Sequence, residues 1–138
     1  MEIENGKLLC LDIGRKKIGV AISENNQLIA RGVATWNFKI IYDELNRFLL
    51  KNEIVAIILG LPLSMSGEER DSASEVKEIA KTIEEKFKLP IYFQDERLSS
   101  WDARERLREM GYRKIRIKEL EDQMAAQIIL QEFLNKLE

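Results

Sequence analysis

Histidine is absent from this 138-residue sequence. Without an imidazole the chain cannot build a Ser-His-Asp or Cys-His catalytic site, a histidine-based zinc site, or the usual general base of neutral pH. Any hydrolytic chemistry must therefore use carboxylates, lysine or a metal-bound water molecule.

Cysteine and long apolar runs are scarce as well. The single cysteine, Cys10, excludes an intrachain disulfide and fits a reducing cytosol, and we expect it to be a small core residue. Apolar runs such as IVAIILGLPL (54–63) fall far short of the roughly 20 residues of a membrane span. The polar start MEIENGK does not resemble a secretory signal. We therefore expect a cytoplasmic protein that does not enter membranes.

The sequence has the composition of a folded protein, with 45% hydrophobic and 33% charged residues. Its length suits one domain, residues 1–138, and is too short for two. Apolar patterning predicts strands at 7–13, 18–23, 27–35, 54–60 and 91–94, and helices at 39–51, 68–87, 99–111 and about 119–137. This order of elements favours an α/β fold with a mixed five-stranded sheet and helices on both faces.

Three carboxylates stand at unexpected places in this layout. Asp12 ends the apolar segment LLCL (8–11), where burial penalises its charge, and Glu96 follows the last predicted strand. Asp122 extends the apolar stripe of the last helix backwards, into the predicted first turn. Each has a plainer interpretation: a turn cap for Asp12, a solvated loop residue for Glu96, and an acid favoured by the helix macrodipole for Asp122.

All three carboxylates are predicted to face one edge of the sheet, and the carboxyl ends of strands are where such folds gather functional residues. Clustered carboxylates repel one another, and a divalent cation makes the cluster tolerable. Oxygen ligands favour Mg²⁺ or Mn²⁺ over zinc. The sequence therefore predicts a Mg²⁺ or Mn²⁺ site suited to the hydrolysis of phosphodiesters.

Four segments resemble the successive motifs of the YqgF/RuvX family: LCLDIGRKKIGVAIS (9–23), GLPLSMSG (60–67), DERLSSWDARERL (95–107) and DQMAAQIILQEFL (122–134). The resemblance implies a ribonuclease H-like fold. It also implies Holliday junction resolution or maturation of the precursor of small-subunit ribosomal RNA. Carried over by position, the acidic triad of the family falls on Asp12, Glu96 and Asp122. Ser64 and Ser66 stand where the family usually has asparagine and aspartate, and we expect them to face the substrate.

Cations are concentrated in one part of the chain, although the net charge is only −2. Residues 97–118 contain eight cationic and three acidic side chains, with Trp101 and Tyr112 as candidate base-stacking groups. The segment GYRKIRIK (111–118) has no acid to pair with and suits phosphate binding better than a solvated surface. Besides the two serines, the predicted nucleic-acid contacts are Arg15, Lys16, Lys17, Arg97, Arg113, Lys114 and Arg116.

We therefore expect a nuclease that acts on structured RNA or branched DNA, as a monomer or a homodimer. One alternative is a non-catalytic nucleic-acid-binding module with a vestigial acidic site. Another is an actin-like or sugar-kinase phosphate-binding domain, which the segment LDIGRKKIGVAI (11–22) also resembles. Proteins of that class need two such domains and a second glycine-rich phosphate loop, and 138 residues supply one domain.

Overall fold

The computed structural model describes residues 3–62, 71–97 and 99–137. The strands are β1 (Lys7–Ile13), β2 (Lys17–Ser23), β3 (Ala30–Asn37), β4 (Ile54–Leu61) and β5 (Ile91–Asp95), and the helices are α1 (Ile41–Lys51), α2 (Asp71–Phe87), α3 (Ser99–Glu109) and α4 (Lys114–Lys136). The strands form one sheet in the order β3-β2-β1-β4-β5. β1 is antiparallel to β2 and parallel to β4, so the predicted mixed sheet is confirmed. None of the described helices is long and apolar enough to cross a membrane.

The central strand β1 has helices on both of its faces, and this explains its continuous run of apolar residues. Residues Leu8–Leu11 are completely buried. Because successive side chains of a strand point to opposite faces, Leu9 packs with the layer of α1 and α2, whereas Cys10 packs with α4. α3 packs on the outer side of α4. The prediction of helices on both faces is therefore confirmed.

Glycines allow α4 to lie very close to the sheet. A Cβ atom at Gly32 of β3 would come within 2.7 Å of the carbonyl oxygen of Gln123. On the same helix, the side chains of Gln127 and Gln131 accept hydrogen bonds of 2.9 Å from two backbone N–H groups of β3. Since β3 is an edge strand, these bonds occupy N–H groups that another chain could otherwise use for pairing.

The predicted start of β3 at residue 27 was wrong. Gln27 has a φ of 56°, in the left-handed region, and its side-chain amide donates to the carbonyl oxygens of Glu4 and Gly6. These bonds hold residue 27 in a turn, and the strand begins at Ala30. The predicted start of the second helix at residue 68 falls outside the described residues.

The last helix begins at Lys114 rather than at about residue 119. The segment GYRKIRIK therefore comprises the link after α3 and the first turns of α4. Ile117 is buried in these turns, and the short link brings α3 and α4 together as neighbours. Burial of Ile117 offsets the lower helical preference of the β-branched residues Ile115 and Ile117, while the lysines and the arginine between them favour a helix.

Candidate active site

Asp12 lies near the carboxyl end of β1, on the face of the sheet that α4 covers. Cys10, two residues earlier, packs against α4, and the alternation of side chains directs Asp12 to the same face. Asp12 pairs with Gly19 of β2, and the preceding residue Leu11 pairs with Leu59 of β4. The carboxylate is thus partly buried between two neighbouring strands and the helix above them.

Glu96 follows β5 directly, and hydrogen bonds fix its backbone. Its N–H donates to the carbonyl oxygen of Leu61 at 3.3 Å, and the N–H and hydroxyl of Ser99 donate to its carbonyl oxygen at 3.1 and 2.8 Å. Asp95 stabilises the same turn by accepting bonds of 2.8 and 2.6 Å from the backbone N–H and Nε of Arg97. Held in this way, the Glu96 side chain lies over the end of β4.

Asp122 lies in the third turn of α4, which begins eight residues earlier at Lys114. The macrodipole acts on the first turn of a helix, so the interpretation of Asp122 as a helix-start acid is wrong. The backbone of Asp122 rests on Gly19, where an added Cβ atom would overlap its carbonyl oxygen. Because Gly19 pairs with Asp12, this contact brings the third acid next to the first.

Asp12 interacts with both of the other carboxyl groups. Burial raises the pKa of Asp12 above its ordinary value of 3.8, and the charge of Asp122 raises it further, whereas a hydrogen bond with the Glu96 side chain lowers it. Burial also raises the pKa of the Cys10 thiol, with additional contributions from Asp12 and Glu96. Cys10 is therefore a protonated core residue at neutral pH.

The donor chemistry of this cluster fits Mg²⁺ or Mn²⁺. Its side-chain donors are carboxylate oxygens, and the carboxyl groups of Asp12 and Glu96 are already in hydrogen-bond contact. Gly60 forms a cradle under the Glu96 carboxylate, because a Cβ atom there would lie 2.6 Å from Oε2. Within residues 3–62, 71–97 and 99–137, however, no three acidic or cysteine side chains already stand in a metal-binding arrangement. Side-chain rotation would have to accompany binding of the cation.

The raised pKa of Asp12 predicts a pH-dependent gain in stability for the variant Asp12→Asn. In chelator we expect this variant to melt higher than the wild type. The folded wild type keeps the Asp12 proton to a higher pH than the unfolded chain does. Its stability therefore falls as pH rises from 3.8 through the raised pKa, while an amide does not titrate. The difference in Tm between variant and wild type should increase as the pH rises from about 4 and should become constant above the raised pKa of Asp12.

The exposed Asp43 on α1, on the other face of the sheet, provides the matched control Asp43→Asn. Added Mg²⁺ or Mn²⁺ should raise the Tm of the wild type by mass action and that of Asp12→Asn much less. If the charge of Asp12 only capped a turn, its amide variant would melt lower than the wild type above about pH 4, and metal would change neither protein.

Three of the predicted phosphate-binding cations form the turn that follows Asp12. Arg15 and Lys16 are exposed in the link between β1 and β2, and the equally exposed Lys17 is the first residue of β2. The turn is held by the Gly14 N–H, which donates to the Lys17 carbonyl oxygen at 3.0 Å, and by the Phe38 N–H, which donates to that of Lys16 at 2.8 Å. A rigid, cationic loop therefore adjoins the acidic cluster.

The other predicted cations differ in their surroundings. Arg113 and Lys114 are exposed at the start of α4, whereas Arg116 pairs with Glu119 at 2.7 Å. Arg97, as noted, binds Asp95. The candidate base-stacking residues Trp101 and Tyr112 are 55% and 39% exposed, so each ring has a surface available to solvent. The predicted contacts Ser64 and Ser66 lie outside the described residues.

Sequence analysis missed the two glycines that lie against the acids, Gly19 and Gly60. Glycine inside an apolar strand often marks a close approach of another backbone or ligand. Gly19 interrupts the buried segment KIGVAIS in this manner, and that signal was available in the sequence. Its partner, Asp122, lies more than one hundred residues away along the chain, and only the fold identifies it.

Comparisons with known proteins identify a family and related sequences. The family model described as "RuvX: Holliday junction resolvase" matches residues 6–136. A protein of Wolbachia sp. subsp. Brugia malayi named "Putative pre-16S rRNA nuclease" is 36% identical over 133 residues, covering 94% of this chain and 86% of the relative. A Lactobacillus acidophilus protein of the same name is 38% identical over 139 residues, covering 94% of this chain and 96% of the relative.

Solved structures share the fold at much lower identity. The fowlpox virus resolvase in complex with Holliday junction DNA has a TM-score of 0.58 and 14% identity, covering 95% of this chain and 98% of the resolvase. Thermus thermophilus RuvC in complex with a Holliday junction has a TM-score of 0.57 and 12% identity, covering 96% of each chain. These resolvases have ribonuclease H-like folds, so the predicted fold class is confirmed.

The sequence relatives bear on the functional class. They carry the name of a nuclease, and the match along most of the chain does not favour an actin-like or sugar-kinase domain. Matched over residues 6–136 and at least 36% identical to both named relatives, this chain belongs to the RuvX family.

Proposed function

We propose that this chain is a single-domain, cytoplasmic endonuclease that requires a divalent metal and hydrolyses phosphodiester bonds in structured nucleic acid. The observation that supports this most is that Asp12 interacts with two other acids at the carboxyl edge of the sheet, with Glu96 through a hydrogen bond and with Asp122 through charge. The family description and the names of the relatives point to two substrates, the Holliday junction and the precursor of 16S ribosomal RNA.

In this proposal Asp12, Glu96 and Asp122 bind Mg²⁺ or Mn²⁺. When bound, the cation supplies Lewis-acid stabilisation of the charge that develops on the phosphodiester and lowers the pKa of water. Partial burial of Asp12 strengthens its attraction for a cation, because water screens the charge less. With no histidine in the chain, a proton released at this site would have to be accepted by a carboxylate such as these.

The exposed turn between β1 and β2 would bind the phosphate backbone beside the acids. Among the described residues, Arg15, Lys16 and Lys17 form no salt bridge with an acidic side chain. Their charges are therefore available to phosphates, and the hydrogen bonds of the turn hold them close to the site before any ligand binds.

The start of α4 would supply a second group of phosphate contacts. Arg113 is the N-cap residue and makes no side-chain capping bond, and the first turn contains no acidic residue. Cations at this end of a helix oppose the macrodipole, so Arg113 and Lys114 weaken the helix that carries them. A bound phosphate would be attracted both by these side chains and by the helix N-terminus.

A cleavage assay on three substrates tests the proposed function. A ribosomal RNA precursor fragment with its 5′ extension, a four-way DNA junction and a linear duplex are each incubated with Mg²⁺, with Mn²⁺ and with chelator. We expect cleavage of at least one structured substrate in metal, none in chelator, and little cleavage of the duplex. Asp12→Asn, purified in the same way, controls for contaminating nucleases.

The outcomes separate the two remaining interpretations. Binding of structured nucleic acid without cleavage in either metal would identify a non-catalytic binding module instead. Cleavage that persists in chelator would contradict the metal requirement. The ratio of the rates on the precursor and on the junction identifies the preferred substrate.

A further inference from the structure

Two glycines flank Asp12 in the sheet. On one side, Gly19 of β2 is its partner in the antiparallel ladder. On the other side, Gly60 of β4 follows Leu59, the residue paired with Leu11, so it lies beside Asp12 in the parallel register. Neither glycine has a positive φ, and conformational freedom therefore does not explain them. What they share is the missing side chain on the face toward α4.

Gly60 makes room for Glu96. An added Cβ atom would lie 2.6 Å from Oε2 and 3.3 Å from the Cβ atom of Glu96, both closer than ordinary contact allows. It would also lie 3.1 Å from the Cδ1 atom of Ile129 on α4. The present position of the Glu96 carboxylate, next to Asp12, therefore requires glycine at residue 60.

Gly19 makes room for Asp122. Here an added Cβ atom would overlap the carbonyl group of Asp122 and lie 3.2 Å from the backbone nitrogen of Gln123. The obstacle is the backbone of α4, which is unable to rotate away as a side chain can. Any larger residue at position 19 would push this turn of the helix, and its carboxylate, away from Asp12.

We propose that Gly19 and Gly60 are positioning residues that set the separation of the three carboxylates. Gly60 allows Glu96 to lie beside Asp12, and Gly19 allows Asp122 to do so. The proposal rests on the proposed function, because the spacing matters for binding a divalent cation. It assigns to the two glycines a role that is distinct from the packing of the core.

Gly60→Ala is the cleaner test, because its main collision is with a movable side chain, whereas Gly19→Ala would displace backbone and destabilise the fold. Three measurements are made on Gly60→Ala and the wild type: a crystal structure in chelator, calorimetric titration with Mn²⁺ without substrate, and kcat and KM for cleavage. We expect the carboxyl groups of Asp12 and Glu96 to separate. Mn²⁺ affinity and kcat should each fall about 10–100-fold, the range seen when the support of a metal ligand is removed. KM should change little.

Two companion variants separate positioning from packing. Ile129→Val removes the Cδ1 atom that the new methyl group would approach, so Gly60→Ala with Ile129→Val should regain Tm relative to Gly60→Ala while Mn²⁺ affinity stays low. Ala56→Val overpacks the same strand and face at a position four residues earlier. It should lower the Tm without changing Mn²⁺ affinity.

The measurements distinguish failure of this proposal from failure of the proposed function. If Gly60→Ala keeps the contact between Asp12 and Glu96 and binds Mn²⁺ like the wild type, the positioning role is wrong. The same holds if Ile129→Val restores Mn²⁺ affinity to Gly60→Ala, because packing would then be the cause. If the wild type neither binds Mn²⁺ nor cleaves, the proposed function fails. The crystal structures then still decide whether Gly60 holds the two carboxyl groups together.

Discussion

Replacing any one of Asp12, Glu96 and Asp122 by its amide should reduce cleavage at least about 100-fold. Mutating a residue that only supports a metal ligand typically lowers metal affinity or activity about 10–100-fold. Mutating one of the proposed ligands should lower activity more. Each substitution keeps the shape of the side chain and removes a negative oxygen donor. Binding of nucleic acid in chelator should stay close to that of the wild type. Single-turnover cleavage and fluorescence anisotropy measure the two quantities separately.

Glu132→Gln provides the matched control. Glu132 also lies on α4, and burial, followed by the charges of Asp102 and Asp95, raises its pKa. It therefore shares a helix and an acidic environment with Asp122 but lies outside the proposed triad. Its amide variant should cleave like the wild type. If Glu132→Gln lost as much activity as the triad variants, cleavage would depend on the overall negative charge of this region and not on the three named positions. If any triad variant cleaved at the wild-type rate, the substituted residue would not belong to the active site.

Replacing Arg113, Lys114 and Arg116 with alanine should weaken nucleic-acid binding and at the same time stabilise the free protein. Each lost phosphate contact lowers the slope of log K against log salt by about 0.7–0.9. Because Arg116 pairs with Glu119, we expect the main loss from the other two, or a slope change of about 1.4–1.8. Removing cations from the N-terminus of α4 should contribute about 0.3–1 kcal/mol each to stability at low salt.

The control removes the same charge elsewhere. Lys51, Lys81 and Lys88 are exposed residues outside the proposed binding surface, and their triple alanine variant should bind with an unchanged slope. Titrations at several salt concentrations and thermal melts of both triple variants provide the comparison. An unchanged slope for the α4 variant would mean that the nucleic acid does not contact the start of α4. A lower Tm would mean that these cations stabilise the helix.

Local patterns in the sequence were sufficient to predict the presence of the five strands and to single out Asp12 and Asp122. The conflict between an apolar strand and a charge identified Asp12, because burying a carboxylate is costly unless something compensates for it. The apolar period of the last helix identified Asp122 in the same way. Both inferences use only residues within a few positions of each other.

Features that depend on distant residues could not be predicted. The start of α4 at Lys114 is stabilised by packing with α3, and the cationic residues around Ile117 conceal the helical spacing of Ile117, Leu120 and Met124. Gln127 and Gln131 have the polarity of a solvent-facing surface, yet both bind the backbone of β3. The requirement for glycine at residue 19 becomes visible only when the helix above it is in place.

The two glutamine bonds have a consequence for synthesis of the protein on the ribosome. They join β3 to residues 95 and 101 positions later in the chain, on the helix that also carries Asp122. A nascent chain that has been made only as far as α3 has two of the three acids and an uncovered edge strand. Such a chain is exposed to aggregation and has no complete acidic cluster. Docking of α4 removes both deficiencies in one step, so a partly synthesised chain should be inactive toward the nucleic acid around it.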